Sequence, residues 1–205
     1  EEALTRKDSL TGDYYDCSAH FVWIGERTRQ LDGAHVEFFR GIKNPIGVKI
    51  GPTADPNDVV ELCRVLNPDN APGRMSLIVR QGADKVADNL PRYIDAIGSA
   101  EQNVVWISDP MHGNTYASPS GHKTRHLEAI LNEVEGFFSA HRAAGTWPGG
   151  IHVELTGDNV TECLGGSETV GEGDLATNYT TMVDPRLNGR QSIDLAFRVA
   201  ELLRG

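Results

Sequence analysis

Three cationic side chains occur where short apolar runs of this sequence end. Arg27 follows the first run, Lys49 lies near the end of the second, and Arg80 follows the third. A guanidinium group binds phosphate or carboxylate through two parallel hydrogen bonds, and the lysine ammonium group supplies a compact positive charge. The three cations together therefore predict a binding site for a small anion that carries phosphate or carboxylate groups.

A second set of residues consists of one imidazole and two carboxylates. His112 follows the fourth apolar run, Glu154 lies in the fifth, and Asp184 lies in the long loop beyond it. Imidazole and carboxylate ligands suit a divalent ion such as Mn2+, Co2+ or Fe2+, and three ligands leave positions open for a substrate. We expect a divalent metal site, with Mn2+ or Co2+ as the favoured ion.

Each of these residues also has an ordinary structural explanation. An arginine that follows a strand is usually a solvated loop residue, His112 would then be a surface histidine, and Asp184 would cap a turn. Lys49 fits such an explanation less well, because it interrupts the apolar run 46–50, where an unpaired lysine facing a core is costly. The placement of all these residues after successive apolar runs favours the functional interpretation.

Other polar residues are assigned no direct role in chemistry. His152, two residues before Glu154, is expected to support the site or to lie hydrogen-bonded in the core. Four residues are expected to form a solvated face near the start of a helix: His122, Lys123, Arg125 and His126.

Short strands and helices alternate along the chain and must position these residues. Apolar runs predict strands at 21–24, 46–50, 76–79, 103–107 and 150–155, and helical periodicity predicts helices at 28–39, 55–66, 83–97, 123–141 and 192–203. Strands separated by single helices pair in parallel, so their carboxyl ends meet on one side. The pattern fits a doubly wound sheet or a (β/α)8 barrel, and no Gly-x-Gly-x-x-Gly follows the first strand to support a dinucleotide fold.

Length and charge narrow the class of protein further. The chain has 205 residues, whereas a complete (β/α)8 barrel typically needs about 250. The net charge of −10 argues against nucleic acid or an anionic membrane as a partner. Three cysteines without metal-site spacing, and no apolar run or leader of the kind that membranes or secretion require, favour a cytoplasmic protein.

Six segments closely resemble the type II 3-deoxy-D-arabino-heptulosonate-7-phosphate (DAHP) synthases. They are WIGERTRQ at 23–30, NPIGVKIGPT at 44–53, DPMHGNT at 109–115, GGIHVE at 149–154, NVTECLGG at 159–166 and DPRLN at 184–188. The resemblance implies an α/β fold, a (β/α)8 TIM barrel of which this chain supplies about strands four to eight. Residues 1–205 would then be the carboxyl-terminal portion of one barrel domain, and a segment of the same or another chain would supply the remaining strands.

The resemblance also implies roles for the residues singled out above. Those that match the phosphoenolpyruvate-binding positions are Glu26, Arg27, Lys49 and Arg80, and those that match three of four metal ligands are His112, Glu154 and Asp184. The fourth ligand, a cysteine on the first barrel strand, has no counterpart here. Lys49 and Glu26 are the expected catalytic residues, with Glu26 orienting a water molecule.

The implied reaction joins phosphoenolpyruvate, D-erythrose 4-phosphate and water to give DAHP and phosphate, the first step of the shikimate pathway. The expected assembly is a homo-oligomer. Two alternatives stay open at this point: a synthase of the same fold that uses an amino-sugar phosphate in a secondary-metabolite pathway, and an inactive fragment or partner subunit that retains the ligands without the chemistry.

Overall fold

The computed structural model describes residues 2–204. The strands are β1 (Thr5–Lys7), β2 (Tyr14–Asp16), β3 (Val22–Ile24), β4 (Ile46–Ile50), β5 (Met75–Val79), β6 (Val105–Ser108), β7 (Tyr116–Ala117), β8 (Lys123–Thr124) and β9 (Pro148–Ile151). The α-helices are α1 (Ala34–Arg40), α2 (Pro56–Leu66), α3 (Val86–Ser99), α4 (Leu127–Ala144) and α5 (Gly189–Arg204). Short 3-10 helices occupy Glu2–Leu4, Glu26–Thr28 and Glu172–Thr177.

Five strands form one parallel sheet, in the order β3-β4-β5-β6-β9. Each strand therefore pairs with the next strand of that sheet along the chain, and a helix connects every pair. A doubly wound sheet reverses its strand order at a switch point, whereas a barrel adds strands in one direction. The observed order is that of a partial (β/α)8 barrel, which confirms the predicted fold class and removes the doubly wound alternative.

Several predicted elements agree closely with the structure. The run Ile46–Ile50 is a strand over its predicted length and is buried throughout. Helix α2 begins at Pro56, and the side chain of Asp55 accepts a hydrogen bond from the backbone N–H of Asn57 at 2.8 Å. A proline in the first helical turn after an aspartate N-cap is the arrangement that the local sequence favours, because neither residue disturbs the helical hydrogen bonds.

Three predicted elements differ from the structure in ways that affect the site. The helix expected from 28 to 39 is a 3-10 turn followed by α1, which begins at Ala34 after an extended Gly33. The helix expected from 123 begins at Leu127, because residues 123–124 pair with β7 instead. The strand expected over 150–155 ends at Ile151, so Glu154 lies in the loop beyond it.

The core lies between the sheet and its covering helices. Strands β4 and β5 are buried along their whole length, as central parallel strands are when both faces are covered. The face of the sheet that carries Gly47 and Lys49 is closely packed. A Cβ on Gly47 would lie 2.7 Å from the side chain of Ile78 and 2.8 Å from that of Phe21. This packing fixes β4 and therefore positions Lys49. None of the helices within residues 2–204 is long and apolar enough to cross a membrane.

Candidate active site at the carboxyl ends of the strands

A cavity of about 540 Å³ opens where the parallel strands end. Six of the seven residues predicted to form the site line it: Glu26, Arg27, Lys49, Arg80, His112 and Glu154. Asp184, the seventh, lies beside the cavity, with Oδ2 at 3.7 Å from Nε2 of His112. The structure thus brings together residues that are up to 158 positions apart in the chain, from Glu26 to Asp184.

The three candidate metal ligands form a compact cluster. Nε2 of His112 lies 3.4 Å from Oε1 of Glu154, and one ligand atom from each of the three residues lies within 4.8 Å of the others. Ligand atoms bound to one transition metal at about 2.1 Å are themselves about 3 to 4 Å apart. One nitrogen and two carboxylate oxygens at this spacing fit a divalent metal.

The protonation states of this cluster follow from its contacts. Hydrogen bonds with Asp109 and Glu154 raise the pKa of His112 to about 9. Burial raises the pKa of Glu154, but the hydrogen bond with His112 and the charge of Arg125 outweigh that effect and leave the pKa below its usual range. A metal ion at this position would compete with the imidazole proton, because a metal binds neutral histidine.

Asp109 joins the metal cluster to Lys49. Its carboxylate forms an ion pair with Nζ of Lys49 and lies 2.8 Å from Nδ1 of His112. Asp109 also accepts hydrogen bonds from the backbone N–H groups of Met111 and His112. A carboxylate on Nδ1 leaves Nε2 of a neutral imidazole free to bind a metal, so Asp109 orients the ring of His112 with Nε2 toward the candidate cluster.

The three cations of the candidate anion site line the same cavity. Nη2 of Arg80 donates to the backbone oxygen of His112 at 2.7 Å. The Arg27 side chain is exposed, and its guanidinium has no hydrogen-bond or ion-pair partner among residues 2–204. Lys49 is 6% exposed and lies over the ring of Trp23, with Nζ 6.0 Å from the ring centre. Three positive groups thus surround a space that admits a small anion.

Glu26 lines the cavity and is tied to the backbone. Its Oε2 accepts a hydrogen bond from the N–H of Gly51, and its Oε1 accepts from Nη2 of Arg29 at 3.2 Å. A Cβ at position 51 would lie 2.8 Å from the carboxyl group, so glycine is required for this contact.

Arg125 was wrongly expected on a solvated helix face. It lies in the turn between β8 and α4, and its side chain is fully buried. Nη1 forms an ion pair with Oε2 of Glu154 at 2.7 Å and a hydrogen bond to the backbone oxygen of Pro185. The sequence offers no signal for this burial, because the partners of Arg125 come from segments that follow it by 29 and 60 residues.

Two buried glutamates hold the loops that carry the site. Glu162 accepts hydrogen bonds from the backbone of Thr180, Thr181 and Arg186 and from the guanidinium of Arg186, and so fixes the loop around Asp184. Burial raises the pKa of Glu162, but these hydrogen bonds outweigh it and leave the pKa below its usual range.

Glu133 ties the loop after β5 to the loop after β6. It accepts from the N–H of Gln81 and from Nδ2 of Asn114, both at 2.7 Å. Burial raises the pKa of Glu133 to about 7. The sequence could have indicated this buried role, because Glu133 lies on the otherwise apolar face of α4, where a charged group needs buried partners.

Comparisons with known proteins identify the family to which the chain belongs. A family model described as the class-II DAHP synthetase family matches residues 1–200. The phospho-2-dehydro-3-deoxyheptonate aldolase of Streptomyces coelicolor is 55% identical over 204 residues, which are 100% of this chain and 45% of that protein. The protein of that name, AroG, from Mycolicibacterium smegmatis is 58% identical over 190 residues, which are 93% of this chain and 41% of that protein.

A solved structure shows the same fold at low sequence identity. The phospho-2-dehydro-3-deoxyheptonate aldolase of Francisella tularensis superposes with a TM-score of 0.57 at 17% identity, over 90% of this chain and 55% of that one. The chain spans less than half the length of the two curated relatives described above. On the match of the family model and the identity to both relatives, the chain belongs to the class-II DAHP synthase family.

Proposed function

We propose that this chain is the carboxyl-terminal part of a 3-deoxy-7-phosphoheptulonate synthase, which condenses phosphoenolpyruvate with D-erythrose 4-phosphate in the first step of the shikimate pathway. The observation that carries the proposal is a cavity of about 540 Å³ lined by all three cations and by two of the three candidate metal ligands. Family membership supports the same reaction.

The cations of the cavity are assigned to phosphoenolpyruvate. Arg27 and Arg80 suit its phosphate and carboxylate groups, because a guanidinium binds either group through two hydrogen bonds. Lys49, held by Asp109, presents a fixed positive charge to the phosphate as the carbon–oxygen bond breaks. Holding the substrate in one orientation reduces the entropy that the bond-forming step would otherwise lose.

His112, Glu154 and Asp184 would hold the divalent metal, with Mn2+ or Co2+ as the proposed ion. Bound there, the metal supplies Lewis-acid polarisation of a substrate carbonyl. In the proposed reaction, carbon 3 of phosphoenolpyruvate bonds to the aldehyde carbon of the sugar phosphate. Water then adds at carbon 2, and phosphate leaves from that carbon. Glu26 is the residue proposed to orient this water, and Lys49 assists the proton transfer.

The relatives' additional length is proposed to include the strands that close the barrel. Within residues 2–204, β3 and β9 each pair on one side only. Helix α5 also exposes apolar side chains: Ile193 is 51% and Phe197 is 70% exposed. Open strand edges and exposed apolar side chains are normally covered in a stable protein. We therefore propose that residues 1–205 are part of one barrel domain.

We also propose an oligomeric state and a cellular compartment. The assembly is proposed to be a homo-oligomer, which a mass measurement in solution tests directly. The proposed compartment is the cytoplasm, because Cys17, Cys63 and Cys163 are free thiols and a reducing compartment keeps cysteines in that state.

The decisive experiment measures phosphate release by the protein at its full natural length. With phosphoenolpyruvate, D-erythrose 4-phosphate and Mn2+, we expect phosphate and DAHP in equal amounts, and we expect Lys49→Ala to remove turnover. Turnover with an amino-sugar phosphate alone would assign the protein to the secondary-metabolite alternative. No phosphate release with either acceptor would contradict an enzymatic role and favour the inactive partner subunit.

A further inference from the structure

Arg125 is a fully buried arginine that no step of the proposed reaction uses. Among residues 2–204, it has the largest of the fully buried side chains, with no exposed surface. An arginine stays charged in a protein, and burying a charge is costly unless it is paired and hydrogen-bonded. The contacts of Arg125 therefore identify what its burial stabilises.

The first two contacts lead to two of the candidate metal ligands. Nη1 of Arg125 lies 2.7 Å from Oε2 of Glu154, on the carboxylate whose other oxygen faces His112. The same nitrogen donates to the backbone oxygen of Pro185, the residue directly after Asp184. One nitrogen atom therefore sets the distance between the Glu154 side chain and the backbone that carries Asp184.

The third contact leads to the remaining ligand. Nε of Arg125 donates to Oγ1 of Thr115 at 2.7 Å, and Oγ1 in turn donates to the backbone oxygen of Met111 at 3.0 Å. Thr115 and Met111 lie on either side of His112 in the loop after β6. The guanidinium of Arg125 thus contacts all three segments that carry the metal cluster.

We propose that Arg125 is a positioning residue for the metal site, setting the relative positions of His112, Glu154 and Asp184. The inference rests on the proposed function, since it presupposes that these three residues bind a metal. Lysine cannot replace arginine in this role, because a single ammonium group cannot reproduce the two separate donor positions of Nε and Nη1 on a planar guanidinium.

A purely structural role for Arg125 makes a different prediction, and Arg74 provides the matched control. Arg74 donates from Nε to Leu66, from Nη1 to Asn44 and from Nη2 to Ile42, in each case to a backbone oxygen. It lies directly before β5, at the end of the sheet opposite the cavity. Arg74→Lys should therefore lower stability without altering the metal cluster.

The test compares the parent protein, Arg125→Lys and Arg74→Lys at full natural length. We measure the Mn2+ dissociation constant by calorimetry, the rise in melting temperature on adding Mn2+, and the affinity for phosphoenolpyruvate without metal. Loss of an outer contact to a metal ligand typically weakens metal binding by about 10- to 100-fold. We expect a loss of that size for Arg125→Lys, with phosphoenolpyruvate affinity changed by less than about threefold.

Each outcome decides the inference. An Arg125→Lys protein that folds and binds Mn2+ as tightly as the parent overturns it, as does an equal weakening in Arg74→Lys. If Arg125→Lys does not fold, Thr115→Val removes the hydroxyl that Nε contacts, and unchanged Mn2+ affinity in that variant overturns the inference instead. A parent protein that binds no Mn2+ contradicts the proposed metal site itself, so the two failures are distinguishable.

Discussion

The ammonium group of Lys49 and the carboxylate of Asp109 form an ion pair inside the protein, where Asp109 has no exposed surface and Lys49 is 6% exposed. The same carboxylate contacts the imidazole of His112. Burial raises the pKa of Asp109, but the hydrogen bond with His112 and the charge of Lys49 outweigh it and hold that pKa well below its usual range. Asp109 therefore links the anion site to the metal cluster through one ionised group.

Removing one member of this pair should cost both stability and activity. Lys49→Met leaves the buried Asp109 carboxylate with the imidazole of His112 but without its ammonium partner, and breaking a buried pair typically costs about 3 to 5 kcal/mol. Urea unfolding measures that loss, and phosphate release measures turnover.

The double variant Lys49→Met/Asp109→Asn separates the two effects. It should recover a large part of the lost free energy of unfolding, because the carboxylate that lost its ammonium partner is gone, while turnover stays absent. A Lys49→Met protein with unchanged stability and turnover would show that the ion pair contributes to neither.

Substituting a candidate metal ligand should abolish the stabilisation by Mn2+. Asp184→Asn removes an anionic ligand from the cluster, so Mn2+ should no longer raise the melting temperature, and a chelator should lower the melting temperature of the parent only. His122→Asn is the matched control, because His122 packs against Tyr179 outside the cluster. Retained Mn2+ stabilisation in Asp184→Asn would remove Asp184 from the ligand set.

The Glu162 carboxylate should determine the order of the loop around Asp184. Glu162→Gln loses the ion pair with Arg186, whose Nη2 lies 2.7 Å from Oε1. It also replaces one carboxylate oxygen with an amide NH2 group, which would face the N–H groups that now donate to Glu162. Loss of a buried pair should cost about 3 kcal/mol. Hydrogen exchange of Thr180 and Thr181 should become faster, and Mn2+ affinity should fall.

The same variant should change the response to acid. The pKa of Glu162 is lowered in the folded protein, so the stability it contributes is complete above its unfolded pKa of about 4.3 and is lost as the pH falls through the folded pKa. The free energy of unfolding should therefore fall less steeply with acid in Glu162→Gln than in the parent. Equal slopes would contradict the ionised state of Glu162.

His141 should destabilise the fold below neutral pH. Its ring is buried against Phe137 at 4.5 Å and Trp106 at 5.4 Å, and burial lowers its pKa to about 4. The unfolded chain binds a proton near pH 6.5, so stability is complete above that pH and falls progressively down to about pH 4, by up to about 3 kcal/mol.

The variant His141→Phe tests this pH dependence. At neutral pH it should be less stable than the parent by about 1 kcal/mol, because the contact of His141 with the Thr146 hydroxyl is lost. The difference in the free energy of unfolding between the variant and the parent should shrink or reverse near pH 4.5. Parallel stability curves for the two proteins between pH 4 and 7 would contradict the neutral, buried imidazole.

Gly113 should tolerate no side chain. A Cβ there would lie 2.4 Å from the backbone nitrogen of Gly82, so the loops that carry Arg80 and His112 would have to separate. Gly113→Ala should weaken phosphoenolpyruvate binding and lower stability by more than about 1 kcal/mol. Gly98→Ala is the matched control, because a Cβ there meets nothing within 4 Å and alanine favours the helix by up to about 1 kcal/mol. Similar effects of both substitutions would contradict the close approach of the two loops.

The sequence by itself predicted the order of the five parallel strands and their helices, and the seven residues expected at the site, but not the short strands β1, β2, β7 and β8. Strand β4 and helix α2 were predicted closely, because their signals are local: an apolar β-branched run in one case and an aspartate–proline cap in the other. Arg27, Lys49 and Arg80 lie at the ends of successive strands. Their side chains were therefore expected to lie close together, because the carboxyl ends of parallel strands meet on one side of the barrel. The residue types predicted the metal and anion chemistry, and the family resemblance added the substrates.

Only the tertiary structure decided which charged residues support the site. Arg125 and Glu162 look like surface residues in the sequence, yet both are fully buried. Asp109 pairs with Lys49 across 60 positions, and Arg125 reaches Pro185 across another 60. A charge is stable in the interior only where its partners surround it. Those partners come from loops whose positions depend on the assembled sheet, so no local pattern identifies them.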